Sequence, residues 1–267
     1  MISLAITSQK GGVGKTTVAL NLAFSLATRR RRTLLIDTDP QGAIGLSLGQ
    51  ANEKPGLAAI VLEGASLADA LIQTNNQFLS ILPTGRLRAI QAPELAVKLV
   101  GGRPISSLNR ALADHFDFVL YDTPSGFTGV TLGVLRGCDY TLSPLQAEPI
   151  AARSLTQLLS VIGELRAEGC PITLAGVVLS MLQLRDDSSL GVAQEVWGRL
   201  PSDLIFDTHI PRDPVFLAAS KAGVPVGLLS RTPPPVAAVF DQLAIELEQV
   251  LKLSPDGDDD GPIALIG

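Results

Sequence analysis

The chain has 267 residues, of which 46% are apolar but only 4% aromatic, and its formal net charge is -5. This length predicts one large domain, and an apolar content made mainly of aliphatic residues is typical of a parallel β-sheet covered by helices. No segment has the roughly 20 uninterrupted apolar residues of a membrane span, and residues 1–10 lack the layout of a signal peptide, so we expect a cytoplasmic protein.

The negative charge is concentrated at the end of the chain. Residues 254–267 contain four aspartates and no basic residue, which leaves 21 basic residues against 22 acidic ones in residues 1–253. We therefore predict a single near-neutral domain over 1–253 and an acidic, disordered tail over 254–267. A near-neutral domain can still carry a basic face, so its charge does not exclude nucleic acid as a partner.

Short β-rich segments alternate with helix-length segments along the chain. This alternation, with connections of a dozen or more residues, predicts an α/β fold in which a mostly parallel sheet is flanked by helices on both faces. The predicted strands cover residues 3–7, 33–37, 78–82, 116–122, 140–143 and 173–179, with a further strand near 204–209.

The last long segment, residues 233–253, has apolar residues at helical spacing. Such a stripe can pack on a core or lie on a membrane. Its polar side carries Asp241, Glu246 and Glu248 against the single Lys252, whereas helices on anionic membranes carry basic residues there. We therefore predict that this helix packs on the core.

A glycine-rich phosphate-binding loop is predicted at 9-QKGGVGKTT-17, between the first strand and the first helix. Glycines let the backbone turn tightly and present N–H groups to an anion, and the start of the helix adds its positive end. In the pattern G-x-x-x-x-G-K-[ST], Lys15 would reach the β- and γ-phosphates and Thr16 would bind Mg²⁺. The first glycine of that pattern is replaced by Gln9, and a second lysine, Lys10, follows it.

Acidic residues close two of the predicted strands. Asp122 ends the apolar run FDFVLYD, which is the layout of a magnesium-holding Walker B strand. Asp37 ends the strand TLLID, and Asp39 follows two residues later. Ligands bind at the carboxyl ends of strands in open α/β sheets, so the three carboxylates are predicted to join the loop in one site.

Four motifs together resemble the ParA/MinD family of deviant Walker A ATPases, and within it the ParA type that partitions or positions cargo. They are KGGVGKTT at 10–17, DTDPQG at 37–42, YDTPSG at 121–126 and IPRDPVFLAASKAGVPV at 210–226. The resemblance covers nearly all of residues 1–252. It implies a P-loop NTPase fold, ATP and Mg²⁺ as cofactors, and slow ATP hydrolysis stimulated by a partner.

The resemblance also implies roles for individual residues. The early lysine of the family's loop reaches across an ATP-sandwich homodimer to the phosphates of the other subunit, and this role falls to Lys10. Asp39 matches the residue that positions the attacking water, and Thr17 matches a contact to the α-phosphate. Thr123, Pro124 and Gly126 match the switch segment that senses the γ-phosphate. The implied catalytic residues are Lys10, Lys15 and Asp39; the nucleotide-binding residues are Gly11, Gly12, Val13, Gly14, Lys15, Thr16, Thr17, Pro211 and Arg212; and the metal-site residues are Thr16, Asp37 and Asp122.

Pro211 and Arg212 match the adenine-side loop of the family. Ser180 and Met181, at the end of the predicted strand before this loop, stand where the family often has Asn or Thr. That departure weakens adenine selectivity as an inference from the sequence.

A DNA-binding surface is also implied, because the ATP dimers of ParA-type proteins bind DNA non-specifically. Arg185 matches a basic position of the family, and Arg212 and Lys221 are further candidates. The run 29-RRRR-32 falls where the first helix should end, so its charges would complement the helix dipole and face solvent, or form an added nucleic-acid or partner surface. The chain begins at the first strand, so sequence-specific recognition through a helix-turn-helix extension is not expected.

Three other functions would require different features from those of a ParA-type ATPase. A MinD-like membrane ATPase would need a basic terminal helix. An iron–sulfur reductase of the nitrogenase type would need a cysteine at position 125, where this chain has Ser125. A nucleotide-binding scaffold would not need Lys10, Asp39 and Asp122 together. The expected partners are a second copy of the chain, non-specific DNA in the nucleoid and a ParB-like or cargo-adaptor activator; the cargo stays open.

Overall fold

The computed structural model describes residues 1–42, 44, 54–146, 148, 151–183, 190, 191, 193, 194, 198 and 202–253. The predicted tail at 254–267 and the candidate DNA contact Arg185 lie outside these residues.

A seven-stranded sheet forms the centre of the domain, in the order β3-β4-β2-β5-β1-β6-β7. All neighbouring strands are parallel except β3, which pairs antiparallel with β4 at one edge. The α/β prediction is therefore confirmed. The strands are β1 (Ile2–Ile6), β2 (Thr33–Asp37), β3 (Ile72–Gln73), β4 (Leu79–Leu82), β5 (Phe118–Asp122), β6 (Tyr140–Gln146) and β7 (Thr173–Ser180).

Helices cover both faces of the sheet, because alternate strand residues point into two separate cores. Leu4, Leu35 and Leu120 belong to one core, while Ala5 and Leu34 belong to the other. Every residue of β2 and β5 is buried, as expected of central parallel strands. The described helices are α1 (Lys15–Thr28), α2 (Leu57–Glu63), α3 (Leu67–Ala70), α4 (Gln91–Leu99), α5 (Arg103–Leu112), α6 (Val130–Gly137), α7 (Ala151–Ala167), α8 (Pro214–Ala222) and α9 (Ala238–Val250).

The strand predicted near 204–209 is wrong. A 3₁₀ turn at Ser202–Leu204 is followed by an irregular segment that forms one isolated bridge with β7, between Ile205 and Val177. The backbone N–H groups of Asp207 and Thr208 donate to the carboxylate of Glu246 in α9. Phe206 donates to Val177 of β7, so Thr208 would be the next donor of a regular ladder, and its N–H is unavailable because Glu246 accepts it.

The terminal helix packs on the core, as predicted. Phe240, Leu243 and Leu247 of α9 are buried beside α1. None of the helices in the described part of the chain is both long and apolar enough to cross a membrane.

Most of the arginine run is part of this packing, so the expected solvent-facing arrangement is wrong for Arg29, Arg31 and Arg32, whereas Arg30 is exposed as expected. Arg29 and Arg31 both donate to the carboxylate of Glu248 in α9, and Arg31 is only 5% exposed. Arg32 pairs with Asp117 at 2.7 Å, immediately before β5. The run thus joins the end of α1 to α9 and to the central sheet.

Candidate nucleotide-binding site

Three adjacent strands end at the same level of the sheet. In the register of the sheet, Ile6 at the end of β1 and Asp37 at the end of β2 both lie beside Asp122 at the end of β5. The glycine-rich loop leaves β1 at this edge and leads into α1. The topology therefore brings together the loop and the carboxylates predicted from the two strand ends.

The loop has the backbone geometry that its glycines allow. Gly12 and Gly14 have φ angles of 75° and 90°, in the left-handed region that favours glycine. Gly11 lies close to Ser125, because a Cβ added at Gly11 would be 3.2 Å from the Ser125 hydroxyl. Helix α1 then begins at Lys15 with no acidic residue in its first turn, so its N-terminal N–H groups offer a site for an anion.

Lys15 is almost completely buried beside the loop. Its ammonium group donates to the Ser125 hydroxyl at 2.9 Å and lies 3.4 Å from the carbonyl oxygen of Lys10. Burial lowers the pKa of Lys15, while the nearby charges of Asp122 and Asp39 act in the opposite direction. The sequence indicated Ser125 only as the residue that replaces the cysteine of an iron–sulfur reductase. Its contact with Lys15 was not predicted.

Asp122 has an unsatisfied carboxylate. It is fully buried, and neither of its oxygens makes a hydrogen bond within the described residues, although Thr16 lies close enough to favour the charged form. Burial, together with the charge of Asp37, raises its pKa to about 7. A buried carboxylate without a partner beside a threonine hydroxyl is suited to a hard cation such as Mg²⁺.

Asp37 contributes differently from Asp122. Its two carboxylate oxygens accept hydrogen bonds of 3.1 Å from the N–H groups of Asp39 and Ile44. Burial raises its pKa to about 6. Asp37 therefore braces the turn that follows β2 and places a second carboxylate next to Asp122.

Asp39 is half-buried within that turn. Its carboxylate accepts from the N–H of Gln41 at 2.9 Å, and its carbonyl oxygen accepts from the N–H of Gly42 at 2.8 Å. These local bonds form the compact turn that DPQG predicts.

Lys10 faces the end of β6 in its own chain. Its ammonium group pairs with the carboxylate of Glu148 and lies 3.4 Å from the side-chain oxygen of Gln146. Both side chains of the ion pair are 38% exposed. The sequence did not indicate either partner.

A cleft of about 590 Å³ continues from the loop towards α8. Pro211 and Arg212 line it, as do Met181, Phe216 and Leu217. The Asp213 side chain accepts from the N–H of Val215 and caps α8, which fixes one wall. The Ser180 hydroxyl donates to the Val13 carbonyl oxygen at 2.8 Å, so the end of β7 is tied directly to the phosphate loop.

The two described DNA-binding candidates lie near opposite ends of α8. Arg212 precedes the helix and Lys221 is in its last turn, and both side chains are exposed. The third candidate, Arg185, lies outside the described residues.

Replacing Asp122 by asparagine is expected to stabilise the ligand-free protein at pH 8. The pKa of Asp122 in the folded state, about 7, lies above its ordinary value of 3.8. Between about pH 4 and 7 the folded protein therefore holds a proton that the unfolded chain has released, and the free energy of unfolding falls as the pH rises. We expect Asp122→Asn to raise the melting temperature by roughly 5 °C at pH 8 and by less at pH 5.

Thermal melts without nucleotide or divalent cation check this prediction. Asp114→Asn, at an exposed aspartate, is the matched control. Equal shifts at pH 5 and pH 8 for Asp122→Asn would show that its carboxyl does not titrate in this range.

Comparison with known proteins places the site in a family. A family profile described as an AAA domain matches residues 1–172. The chain is similar to the chromosome partitioning protein ParA of Caulobacter vibrioides (strain NA1000 / CB15N), with 34% identity over 228 residues, 84% of this chain and 85% of the relative. It is similar to the sporulation initiation inhibitor protein Soj of Bacillus subtilis (strain 168), with 30% identity over 226 residues, 84% of this chain and 89% of the relative.

Solved structures have the same fold. The cell division ATPase MinD of Pyrococcus furiosus superposes with a TM-score of 0.75 at 26% identity, covering 93% of this chain and 99% of that one. Cobyrinic acid a,c-diamide synthase from Mycobacterium smegmatis, solved with a bound ATP analogue and magnesium, has a TM-score of 0.74 at 27% identity over the full length of both chains. The relatives and the fold agree with the motifs around the loop, and the chain belongs to the ParA/MinD family of ATPases.

Proposed function

We propose that this protein is a ParA-type ATPase that dimerises around ATP, binds DNA non-specifically in that state and hydrolyses ATP slowly until a partner stimulates release. The observation that carries the proposal is the buried carboxylate of Asp122, which accepts no hydrogen bond from the described residues and lies beside a phosphate loop that contains two lysines. The switch would partition or position a plasmid, a chromosome or another cargo.

The proposed binding of ATP and Mg²⁺ follows from the residues around the phosphate loop. Lys15 is buried beside the loop whose N–H groups would bind the phosphate oxygens. Its charge can therefore compensate the phosphates for the hydrogen bonds to water that they lose on binding. Thr16, Asp37 and Asp122 would hold Mg²⁺, which neutralises charge that develops on the phosphates. The cobyrinic acid a,c-diamide synthase relative, solved with an ATP analogue and magnesium, supports the same pair of cofactors here.

Hydrolysis needs a water held in line with the γ-phosphate, and we assign its orientation to Asp39. The turn after β2 carries this side chain at the same strand ends as Lys15 and Asp122. The cleft lined by Pro211 and Arg212 continues from the phosphate loop and is large enough for the nucleoside end of ATP.

Dimerisation is assigned to Lys10. In a sandwich dimer its ammonium group would leave Glu148 and reach the phosphates bound by the other copy, where it would stabilise the transition state as an arginine finger does. The ion pair with Glu148 is partly exposed, so exchanging it for a phosphate contact costs little. Each copy would then complete the site of the other, and ATP would be part of the interface.

DNA binding is assigned to the exposed basic residues Arg212 and Lys221 and to Arg185. A single phosphate contact contributes little, but dimerisation doubles the number of contacts and makes the affinity steeply salt-dependent. In the MinD-like alternative, the terminal helix would need a free apolar stripe. Phe240, Leu243 and Leu247 in the stripe of α9 are buried against the core, so the structure gives this alternative no support from that helix.

The experiment that tests the proposal measures the molar mass by light scattering with ATP, with ADP and without nucleotide, together with phosphate release. A dimer with Mg²⁺ and ATP only, accompanied by slow phosphate release, is the expected result. Lys15→Ala, which removes the phosphate contact, should stay monomeric in all three conditions. A mass that is the same with ATP and ADP would contradict the nucleotide switch.

A further inference from the structure

Thr84 lies behind the turn that carries Asp39, at a position to which no role has been assigned so far. It follows β4, the neighbour of β2 in the sheet, in the sequence 82-LPTG-85. Its side chain is completely buried. Its hydroxyl lies 2.7 Å from the carbonyl oxygen of Asp37 and 2.9 Å from the carbonyl oxygen of Asp39. One hydroxyl proton is thus shared by two carbonyl oxygens on either side of Thr38.

The backbone around Thr84 is anchored as firmly as its side chain. Its carbonyl oxygen accepts from the N–H of Ala58 at 3.0 Å, and the carbonyl oxygen of Pro83 accepts from the N–H of Leu57 at 2.8 Å. Both donors belong to the first turn of α2. Thr84 therefore holds the chain at two places, where it leaves β2 and where it enters α2.

Two glycines make this junction possible. A Cβ on Gly56 would lie 2.3 Å from the backbone nitrogen of Gly85, and one on Gly85 would lie 2.7 Å from the backbone nitrogen of Gly56. Gly85 also has a φ angle of 84°, which glycine adopts without strain. Because the two backbones are in direct contact, the frame that presents the Thr84 hydroxyl has little freedom to move.

On its other side the turn is tied to β5, because the N–H and the hydroxyl of Thr38 both donate to the carbonyl oxygen of Asp122. Among the described residues, the Thr84 hydroxyl is the side-chain group that ties the turn to β4 and α2. The Asp39 carboxylate and carbonyl are bonded to Gln41 and Gly42, which belong to the same turn and would move with it. The Thr84 hydroxyl is bonded from outside, so it fixes the turn relative to β4 and α2. Removing it would leave the turn folded but less precisely placed.

We infer that Thr84 is a positioning residue for ATP hydrolysis, acting through the backbone of Asp37 and Asp39. The inference rests on the proposed function, in which Asp39 orients the attacking water. Thr84 does not touch the nucleotide. Its contribution is to fix the position of the Asp39 side chain, so that this side chain can hold a water in line with the γ-phosphate. Small displacements of such groups strongly reduce reaction rates.

The test compares Thr84→Val, which keeps the shape but removes the hydroxyl, with Thr84→Ser, which keeps the hydroxyl. Hydrolysis of ATP is measured in steady state, and binding of a fluorescent ATP analogue is measured separately. We expect Thr84→Val to lower kcat by about tenfold with KM for ATP within about twofold of the wild type, and Thr84→Ser to stay within about twofold in both.

Wild-type kcat with Thr84→Val, or an equal loss of kcat in Thr84→Val and Thr84→Ser, would overturn the inference. If Thr84→Val does not fold, as judged by its melting curve, Thr84→Ala is measured with the same expectation. The wild-type protein is assayed in parallel: absence of ATP hydrolysis in the wild type would contradict the proposed function itself, whereas normal wild-type turnover with an unaffected Thr84→Val variant would contradict only the role of Thr84.

Discussion

Replacing Asp39 by alanine is expected to abolish ATP turnover and to leave ATP binding within about threefold of the wild type. Among the described residues, the carboxylate of Asp39 accepts a hydrogen bond only from its own turn and acts on the phosphate loop only through its charge near Lys15, so its loss should leave ATP bound. A group that orients or activates the attacking water typically contributes about a hundredfold or more to the rate. Phosphate release under single-turnover conditions and binding of a fluorescent ATP analogue separate the two effects.

Asp213→Ala is the matched control for this prediction. That aspartate also accepts a backbone N–H two residues ahead, but it caps α8 on the other side of the cleft. We expect it to change stability more than turnover. Normal turnover in Asp39→Ala would remove this residue from the mechanism and leave water orientation to another group.

Replacing Lys10 by alanine is expected to have the second large effect, which is loss of the ATP-dependent dimer together with a fall in hydrolysis of about a thousandfold. The variant lacks the cation that a second copy would place beside the phosphates. A charge supplied across an interface in this way raises the rate of phosphoryl transfer by about 10³ or more. Binding of ATP to the monomer depends on Lys15 and the loop glycines and should persist. Light scattering with ATP and phosphate release measure the two losses.

Glu148→Gln is the control that separates a role in the other copy from a role in the same chain. It removes the ion pair of Lys10 with its own chain and keeps the lysine. If Lys10 acts on the other copy, freeing it should preserve or strengthen the dimer. A loss of the dimer equal to that in Lys10→Ala would show that the pair with Glu148 is the function of Lys10.

Mixing two inactive variants gives an independent test of the same role. In a mixed dimer of Lys10→Ala and Asp39→Ala, the site that retains Asp39 receives Lys10 from the other copy and should regain activity. The site in the other subunit lacks both groups. If Lys10 acted within its own chain, every site in the mixture would lack one essential residue, and no activity would return.

The central fold and most of the site could be predicted because their signals are local. Apolar runs such as 33–37 and 116–122 indicate buried parallel strands, and the acids at their ends follow from the same pattern. The glycines of the loop indicate a backbone conformation that other residues rarely adopt. Each of these features depends on neighbours in the sequence, so the sequence alone was enough to place Lys15, Asp37 and Asp122 together.

The features that were missed depend on contacts distant in sequence. The segment near 204–209 has the composition of a strand, but a glutamate in α9 takes two of its N–H groups. The arginine run is held by Glu248, more than 200 residues away, so charge alone indicated exposure. Thr84 has no motif, and only the packing of β4 against β2 shows that its hydroxyl reaches the Asp39 turn.

The measurement that tests the central claim most directly is binding to non-specific duplex DNA with ATP and with ADP over a series of salt concentrations. Asp39→Ala holds the protein in the ATP state, and Lys221→Ala reduces the basic surface at a residue that does not line the nucleotide cleft. The account predicts binding with ATP only, an affinity that falls steeply with salt, and a shallower salt dependence in Lys221→Ala. A confirmed ATP dimer that binds no DNA in either nucleotide state would contradict it.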